Sequence, residues 1–468
     1  MASSSSSTVE HSNFPIISDK SSKENSEAID FISNLPEPLM CHILSFLTTK
    51  EAAATSVLSS KWIKLWTTVP VIDLQEAEIT SACNPLLSIT APSKYITDEP
   101  FTRFSYVMNQ VLLQRTAHHL KKLRLVSRYH RYNPAHFMAW LKYVVVGDVE
   151  EVDLALFLDN NIDLPITFFT CKTLVVMKLC GNINIMNVPS SIHLPSLKIA
   201  DIRGVPFKDI FPINRILIGC PVLEDFSMYL MASVPDRSLK ISNPTLLKLR
   251  VSCLFCTYDV IQLEIDTPSL KFLDIEATAI LDYSLKNLHN VVEARLNMLV
   301  ENGPEDRLFH IFKALHEIRY MSISLFTIQT FTKTFDLGLP EFSNLVRLVL
   351  TISYCDSKLL VKLLQKCPKL RDLVIQKETF YGDRRLWIDP KSVPNCISSH
   401  LVEFSFNGYS GSDNELGLVV YILKSGNLLK RVTIQTYYFL NYMKDGIRIQ
   451  EQLSRVPRAS SRCELVFE

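Results

Sequence analysis

The chain has 468 residues, 47% of them hydrophobic, so it is long enough and apolar enough to bury a large core. Its 49 basic residues balance 48 acidic ones, and the net charge of +1 gives no global electrostatic reason to expect nucleic acid as a partner. The length is great for one domain, unless that domain is an array of repeats.

Residues 1–29 are polar and include a serine run from Ser3 to Ser7, which predicts disorder. This stretch lacks the apolar core of a signal peptide, and no apolar run in the chain approaches the roughly 20 residues of a membrane helix. The eleven cysteines follow no framework of spacings, which favours reduced, mostly buried thiols. These features predict a protein of the nucleus or the cytoplasm that does not engage a membrane, and they leave the choice between the two compartments open.

Residues 30–74 form a short apolar segment that predicts three helices. Leu35-Pro36 opens the first helix, because a proline at a first helical position gives up an amide that would be unpaired anyway. Thr48 and Glu51 have the spacing of a capping box and start the second helix. A third turn carries two tryptophans. Three short helices cannot bury all of this apolar surface by themselves, so we expect another protein to hold the segment.

The stretch 75–119 is less regular and is assigned as a connector. Several prolines and few helix signals over 75–100 favour a connecting segment or an extended strand across the open end of a repeat array. Residues Phe101 to His119 predict a helix that leads into the first repeat.

From Leu120 onward one six-residue pattern returns thirteen times: apolar, two free, apolar, one free, apolar. The matches begin at positions 120, 149, 174, 197, 223, 246, 270, 291, 318, 345, 370, 401 and 429. A spacing of 21 to 31 residues is that of leucine-rich repeats, in which each repeat adds one short strand and stacking buries what one repeat cannot. Residues 120–386 are therefore predicted to form an α/β solenoid with parallel inner strands.

The segments between the matches predict the outer, convex side of the solenoid. Four of them read as amphipathic helices that end just before a strand: DIFPINRILIGCP, DRLFHIFKALHE, SKLLVKLLQKCP and ELGLVVYILKSG. Cys220-Pro221 and Cys367-Pro368 fall at the same place in their repeats, where proline stops the helix. We interpret the two cysteines as fillers of small core sites.

Strand alternation predicts which side chains face a partner. If positions one, four and six of each match point inward, positions three, five and seven line the concave surface, and these are mainly polar. Interface anchors tend to be aromatic residues and arginine. The predicted centre of substrate binding is Arg203, Tyr229, Arg250, Phe272, Arg295, Tyr320 and Arg347.

The N-terminal segment also resembles a known motif. The stretches LP, CHILSFL, TKEAAATSVLSSKW and LW within residues 30–74 resemble an F-box, and the later chain resembles the plant F-box/FBD/leucine-rich-repeat proteins. The resemblance implies that the F-box docks onto the Skp-type adaptor of a cullin-RING ubiquitin ligase. Carried over to this chain, the adaptor-binding residues are Leu35, Pro36, Ile43, Leu44, Leu47, Val57, Leu58, Trp62, Leu65 and Trp66.

The segment departs from the family pattern at four places. Phe31 stands where a basic residue is usual, and Pro38 replaces an ordinary helix former. Thr49 sits where proline is common, and Ser60-Lys61 stand where two basic residues are frequent. None of these changes removes a large apolar anchor, so weaker docking is the most that we expect from them.

Residues 387–468 carry a second resemblance, to the FBD motif. The residues that carry it are Trp387, Val393-Pro394-Asn395-Cys396, Glu415, Tyr421-Ile422-Leu423 and Arg458-Ala459-Ser460-Ser461-Arg462-Cys463. A solenoid needs a modified terminal repeat to close its core, so we interpret this region as a C-terminal cap with two final repeats. An additional binding role for it stays open.

Catalytic patterns are missing from the sequence. There is no G-x-x-x-x-G-K-[ST] loop and no G-x-S-x-G elbow, and only 12 glycines occur in the chain. Cys253 and Cys256 form a lone C-x-x-C pair without a second pair at zinc spacing, which favours two packed thiols. We predict no enzyme, no metal site and no cofactor.

The resemblance to F-box proteins, together with the predicted binding surface, implies a substrate-recognition subunit of an SCF-type cullin-RING E3 ubiquitin ligase. In this hypothesis the F-box binds the Skp-type adaptor, the repeats bind a target protein, and the subunit itself is non-catalytic. The alternative is a non-catalytic leucine-rich-repeat interaction scaffold that takes no part in ubiquitination. A receptor whose substrate surface is completed by a small ligand is a third possibility.

Overall fold

The computed structural model describes residues 32, 34–76, 99–117, 119–128, 134–185, 188–205, 211–230, 238–253, 261–277, 281–298, 307–324, 327, 339–352, 357–377, 387–436 and 444–468. The expectations for residues 1–29, for most of the connector at 77–98, and for Phe31 and Cys256 lie outside these residues. Within them, no helix combines the length and the apolar character needed to cross a membrane.

The N-terminal segment folds into the short helices α1 (Glu37–Leu44), α2 (Thr49–Ala54) and α3 (Leu65–Thr68). Pro36 is the residue just before α1 and not, as predicted, its first helical residue, and Pro38 is the proline within the first turn. The predicted capping box is present: the Thr48 hydroxyl accepts from the Glu51 amide, and the Glu51 carboxylate accepts from the Thr48 amide at 2.9 Å. The third helix is shorter than predicted, because turns occupy residues 60–64 before it.

Strands dominate the rest of the chain. In chain order they are β1 (Val71–Gln75), β2 (Lys122–Ser127), β3 (Glu151–Leu156), β4 (Ile162–Asp163), β5 (Val176–Gly181), β6 (Ile183–Asn184), β7 (Ile199–Arg203), β8 (Asp225–Leu230), β9 (Ser238–Ser242), β10 (Lys248–Cys253), β11 (Ile261–Asp266), β12 (Phe272–Ala277), β13 (Leu281–Lys286), β14 (Glu293–Met298), β15 (Tyr320–Ile323), β16 (Arg347–Ile352), β17 (Asp372–Lys377), β18 (Glu403–Tyr409), β19 (Arg431–Thr436) and β20 (Glu464–Phe467).

One parallel sheet of 15 strands runs through the solenoid in the order β1-β2-β3-β5-β7-β8-β10-β12-β14-β15-β16-β17-β18-β19-β20. Each of the thirteen predicted matches contains one of these strands, which begins at the third residue of the match. The apolar fourth and sixth positions are aligned from strand to strand, as Leu123 with Val152 and Leu125 with Leu154, and are buried. These findings confirm the α/β fold class and the predicted register.

The sheet is longer than the thirteen matches. Strand β1 precedes them and pairs with β2, and strand β20 follows them and pairs with β19. The end of the N-terminal segment is thus already a strand of the solenoid. Between β1 and β2, helix α4 (Glu99–Gln114) confirms the predicted helix before the first repeat.

The convex side is built from two kinds of element. Helices α5 (Pro134–Val146), α6 (Phe211–Gly219), α7 (Arg307–Ala314), α8 (Ser357–Gln365), α9 (Asn395–Ser399), α10 (Asp413–Ser425) and α11 (Lys444–Ser454) lie there, and α6, α7, α8 and α10 are the four predicted amphipathic helices. Strands β9, β11 and β13 instead form a second parallel sheet. Their repeats are spaced by only 21 to 24 residues. An extended strand crosses the convex side with fewer residues than a helix needs, because it rises about 3.3 Å per residue where a helix rises about 1.5 Å.

Residues of the FBD-like region contact one another at the C-terminal end of the chain. The ring centres of Trp387 and Tyr421 lie 5.9 Å apart. Trp387 packs so closely on Gly417 that no side chain would fit at position 417. Arg458 donates to the carbonyl of Cys463 at 2.6 Å. These contacts are internal, which supports the interpretation of the region as a cap.

A buried ion pair fastens this cap to the repeats before it. Glu415 of α10 and Lys377 of β17 pair with each other, and both side chains are almost fully buried. The Glu415 carboxylate also accepts from the backbone amides of Ser410 at 2.7 Å and Gly411 at 3.0 Å. Both charges of this network have a partner, and the pair joins α10 to β17, the strand of the preceding repeat.

Glu415→Gln is expected to lower the free energy of unfolding by about 3–5 kcal/mol, since it leaves the Lys377 ammonium buried without a counter-charge. Urea unfolding followed by tryptophan fluorescence measures this loss. The matched control is Glu464→Gln, which breaks the exposed Glu464–Arg431 pair of 3.8 Å and should cost less than about 1 kcal/mol. Equal effects of the two substitutions would show that the buried pair does not hold the cap.

Candidate functional site

The N-terminal helices have a small core of their own. It consists of Met40, Leu44, Ala52, Trp62, Leu65 and Val69. Leu44, Trp62 and Leu65 were predicted to contact the adaptor, but they are only 0%, 3% and 5% exposed. The prediction is corrected at these three positions: their side chains hold the helices together and are not accessible to a partner.

The other predicted docking residues divide into two groups. Leu35, Leu47 and Trp66 are half-buried against the small core, and Trp66 also packs against the main core of the solenoid. Pro36, Ile43, Val57 and Leu58 are exposed, as docking requires. For the accessible residues the role in adaptor binding stays a prediction.

The structure adds exposed apolar residues that the prediction missed. These are Ile32, Leu39, Phe46 and Ile63, and Phe46 is 77% exposed. Leu39 and Phe46 have the same helical spacing as the predicted residues, so periodicity alone could not say which apolar side chains of α1 face inward. We call Ile32, Leu39, Ile43, Phe46, Val57, Leu58 and Ile63 the exposed apolar set. So many exposed apolar side chains on α1 and on the segments that flank the helices are typical of a protein-binding surface.

Hydrogen bonds fix the helices to the solenoid. The Thr49 hydroxyl accepts from the amide of Asp73 in β1 at 2.9 Å. Arg115, directly after α4, donates to the carbonyl of Val69 at 2.8 Å, and the amide of Thr116 donates to the carbonyl of Thr67 at 3.1 Å. The position of the exposed apolar set relative to the sheet is therefore defined by several bonds.

The concave side of the sheet brings the predicted substrate-binding residues together. The Arg203 guanidinium lies 5.2 Å from the ring centre of Tyr229 on the next strand. Arg250 and Arg295 lie 5.0 Å and 5.2 Å from the ring centre of Phe272, which stands between them. These distances are typical of cation–π contacts.

The last two predicted residues continue the same surface. Tyr320 and Arg347 occupy the register position of Phe272 on the strands β15 and β16. Tyr320 is exposed, and Arg347 pairs with Asp372 at 3.0 Å. Substrate binding by these residues stays a prediction.

Carboxylates of the same sheet neutralise most of these arginines. Arg203 binds both oxygens of Asp201 at 2.7 Å, and this hydrogen bond is the main reason for the raised pKa of Arg203. Arg250 binds Asp225 at 2.9 Å, and Arg295 binds Glu293 at 2.9 Å. These guanidinium groups are thus already paired, and what they offer a partner is mainly their flat faces and the aromatic rings beside them.

Several cysteines are fixed in the core. Cys220 and Cys367 are fully buried, which confirms their interpretation as core fillers. Burial raises the pKa of Cys220 to about 12 and that of Cys396 to about 11, so both thiols stay protonated and unreactive at neutral pH. Among the described residues, no three His, Cys, Asp or Glu side chains are grouped as a metal site would require.

Comparisons with known proteins match three parts of the chain. The model of the F-box domain matches residues 32–73, the model of the repeats of the FBD-associated F-box protein At5g56370 matches 137–289, and the FBD model matches 389–434. The Arabidopsis thaliana FBD-associated F-box protein At4g10400 is 28% identical over 94% of this chain and 100% of its own length. The F-box/FBD/LRR-repeat protein At5g53840 of the same plant is 28% identical over 96% of this chain and 97% of its own length.

Asp274 lies between Arg250 and Arg295 in the register of the sheet and gives a pH-dependent prediction. Burial raises the pKa of its carboxyl group, while Arg295 and Arg250 act in the opposite direction. A raised pKa means that the ionised carboxylate costs stability in the folded state. Asp274→Asn should therefore raise the melting temperature at neutral pH, and the gain should disappear at acid pH, where the wild-type carboxyl takes up a proton.

Glu264→Gln should change the melting temperature at neutral pH in the opposite direction to Asp274→Asn. A hydrogen bond from Lys286 lowers the pKa of Glu264, so its ionised form adds stability above the acid range and this stability is lost as the pH falls. Thermal unfolding from neutral to acid pH measures both variants. If Asp274→Asn lowers the melting temperature at neutral pH, the attraction of the two arginines outweighs burial.

Proposed function

The chain belongs to the F-box/FBD/leucine-rich-repeat family, and we propose that it is the substrate-recognition subunit of an SCF-type cullin-RING E3 ubiquitin ligase. Its F-box would bind the Skp-type adaptor, and its repeats would bind a target protein. The observation that carries this proposal is the exposed apolar set on α1, the turn after α2, and the segments that flank the helices. The nucleus and the cytoplasm are the compartments in which this role would be played.

The exposed apolar set supports adaptor binding energetically. A fully buried large apolar side chain contributes about 1.5–3 kcal/mol relative to leaving it in water. Phe46 and Val57, which are 77% and 87% exposed, have nearly all of this contribution still to gain. A partner with an apolar groove would recover it, whereas in the free chain these side chains cost solubility.

The structure explains two of the positions at which the chain departs from the usual F-box pattern, Pro38 and Thr49. Pro38 lies in the first turn of α1, where a missing amide costs no hydrogen bond. Thr49 uses its hydroxyl to accept the Asp73 amide, which a proline at this position could not do. Neither departure removes a residue of the exposed apolar set, so both are compatible with docking.

The proposed contribution to ubiquitination is proximity. A receptor of this kind forms no covalent bond; it raises the effective concentration of a target lysine beside the charged ubiquitin-conjugating enzyme. The hydrogen bonds between the F-box helices and β1 suit this role, because they limit the orientations that a bound target can take relative to the adaptor. The alternative, an interaction scaffold outside the ubiquitin system, predicts no stable complex with the adaptor.

Co-purification with a plant Skp-type adaptor tests the proposal. The wild-type chain is expected to bind, and the double substitution Phe46→Ser, Val57→Ser should weaken binding at least about tenfold, since it removes two apolar anchors. The matched control is Tyr106→Ser, Leu113→Ser, which changes two exposed residues of α4 outside the F-box and should leave binding unchanged.

Two results would contradict the proposal. Failure of the folded wild-type chain to bind any of several adaptor isoforms would favour the scaffold alternative. Equal binding by wild type and the Phe46→Ser, Val57→Ser variant would show that the exposed apolar set is not the docking surface.

A further inference from the structure

The two halves of the concave surface differ in how their side chains are paired. Each strand has up to three side chains on the concave surface. In the half from β1 to β14, the middle one of these three is charged in most strands. Arg124 there lies between Asp73 at 3.3 Å and Asp153 at 3.5 Å. In the half from β15 to β19, the aligned residues are small and uncharged: Ser322, Val349, Val374, Ser405 and Thr433.

This row of small residues forms a trough across five strands. On one side it is flanked by the longer side chains of Tyr320, Arg347, Asp372, Glu403 and Arg431, which share one register position. On the other side stand three side-chain amides. Strands in a sheet lie about 4.8 Å apart, so five strands give the trough a length of about 19 Å. We use the word trough for the row from Ser322 to Thr433 together with these two flanks.

The three amides are Gln376, Asn407 and Gln435, and they are neighbours on β17, β18 and β19. Gln376 and Gln435 are exposed, and Asn407 is half-buried. In the part of the chain that the structure describes, none of the three side-chain amides has a hydrogen-bond partner. In the other half, the equivalent Asn297 donates to Glu276 at 2.9 Å. The trough therefore has donors and acceptors that remain free for a ligand.

The charges along the other flank are nearly balanced. Arg347 pairs with Asp372 at 3.0 Å, and Arg431 pairs with Glu464 at 3.8 Å. Glu403, between them in the register, makes no ion pair with any described residue. Among the described residues, the trough thus has an uncharged floor, a row of side-chain amides without a hydrogen-bond partner and one carboxylate without an ion pair.

From this arrangement we infer that the trough binds an extended, largely uncharged peptide segment of the target, with one basic side chain reaching Glu403. The inference rests on the proposed function, in which the repeats hold a target protein. A side-chain amide has both a donor and an acceptor, as a peptide group does, so the row of amides fits the backbone of an extended chain. Acidic side chains are disfavoured, because the floor offers them no cation and would desolvate them.

This assignment gives the FBD a second role. Its family match covers residues 389–434 and so includes β18, which supplies Glu403, Ser405 and Asn407 to the trough, and most of β19, which supplies Thr433. The buried Lys377–Glu415 pair lies just behind these strands and holds them in place. The FBD thus closes the core and also builds the peptide-binding end of the concave surface, away from the predicted centre around Phe272.

A displayed library of random twelve-residue peptides tests the inference on the full chain bound to its adaptor. Selected peptides are expected to be poor in acidic residues and to carry one lysine or arginine. Gln376→Ala, Gln435→Ala should weaken the selected peptides about tenfold, since two neutral hydrogen bonds are lost. Glu403→Gln should remove the preference for the basic residue and the salt dependence of binding.

The matched control is Gln450→Ala, Gln452→Ala, the same chemical change on the exposed face of α11, which should leave peptide binding unchanged. Three outcomes overturn the inference: no enriched peptide, acidic peptides that depend on Arg203 or Arg250, or equal binding by the trough variant and wild type. The adaptor complex is measured in the same samples. Loss of peptide binding with an intact adaptor complex rejects the trough alone, whereas loss of the adaptor complex rejects the proposed function.

Discussion

Backbone hydrogen bonds between parallel strands stack every repeat on the next in one register, and the remaining features of the molecule depend on that stacking. Because each strand begins at the same position of its match, the apolar residues of all strands meet on one side of the sheet. A shift of one residue in a strand would turn its apolar side chains to the concave surface and its polar side chains into the core. The same constraint aligns the side chains of the concave surface into continuous rows.

A stack of this kind has two ends, and the two ends are closed differently. At the N-terminal end, β1 joins the sheet directly and the F-box helices pack around its start, so that Trp66 contacts both cores. At the C-terminal end, the aromatic contact of Trp387 with Tyr421 and the buried pair of Glu415 with Lys377 fasten the last repeats. Both closures are built from contacts between residues far apart in sequence.

The rows of the concave surface separate two kinds of electrostatic environment. Along the first half, acids and bases alternate across neighbouring strands and satisfy one another, as Arg124 does between two aspartates. Along the second half, the floor is uncharged, and the side-chain amides beside it have no hydrogen-bond partner among the residues that the structure describes. The first half of the sheet thus has arginines that are mostly paired with carboxylates. The second half has side-chain amides that can form hydrogen bonds with a ligand.

The sequence by itself determined the features that depend on neighbours along the chain. The alternation of apolar and polar residues predicted all thirteen strands and their inward faces, and the spacing of Thr48 and Glu51 predicted the start of α2. Tertiary structure alone decided which apolar residues of the short F-box helices face inward, because Leu44 and Phe46 are equally apolar and differ only in what packs against them. It also decided that Arg250 pairs with Asp225 of the neighbouring strand and that Lys377 meets Glu415. Each of these depends on atoms brought together by folding from distant parts of the chain, and no local period or spacing records such a meeting.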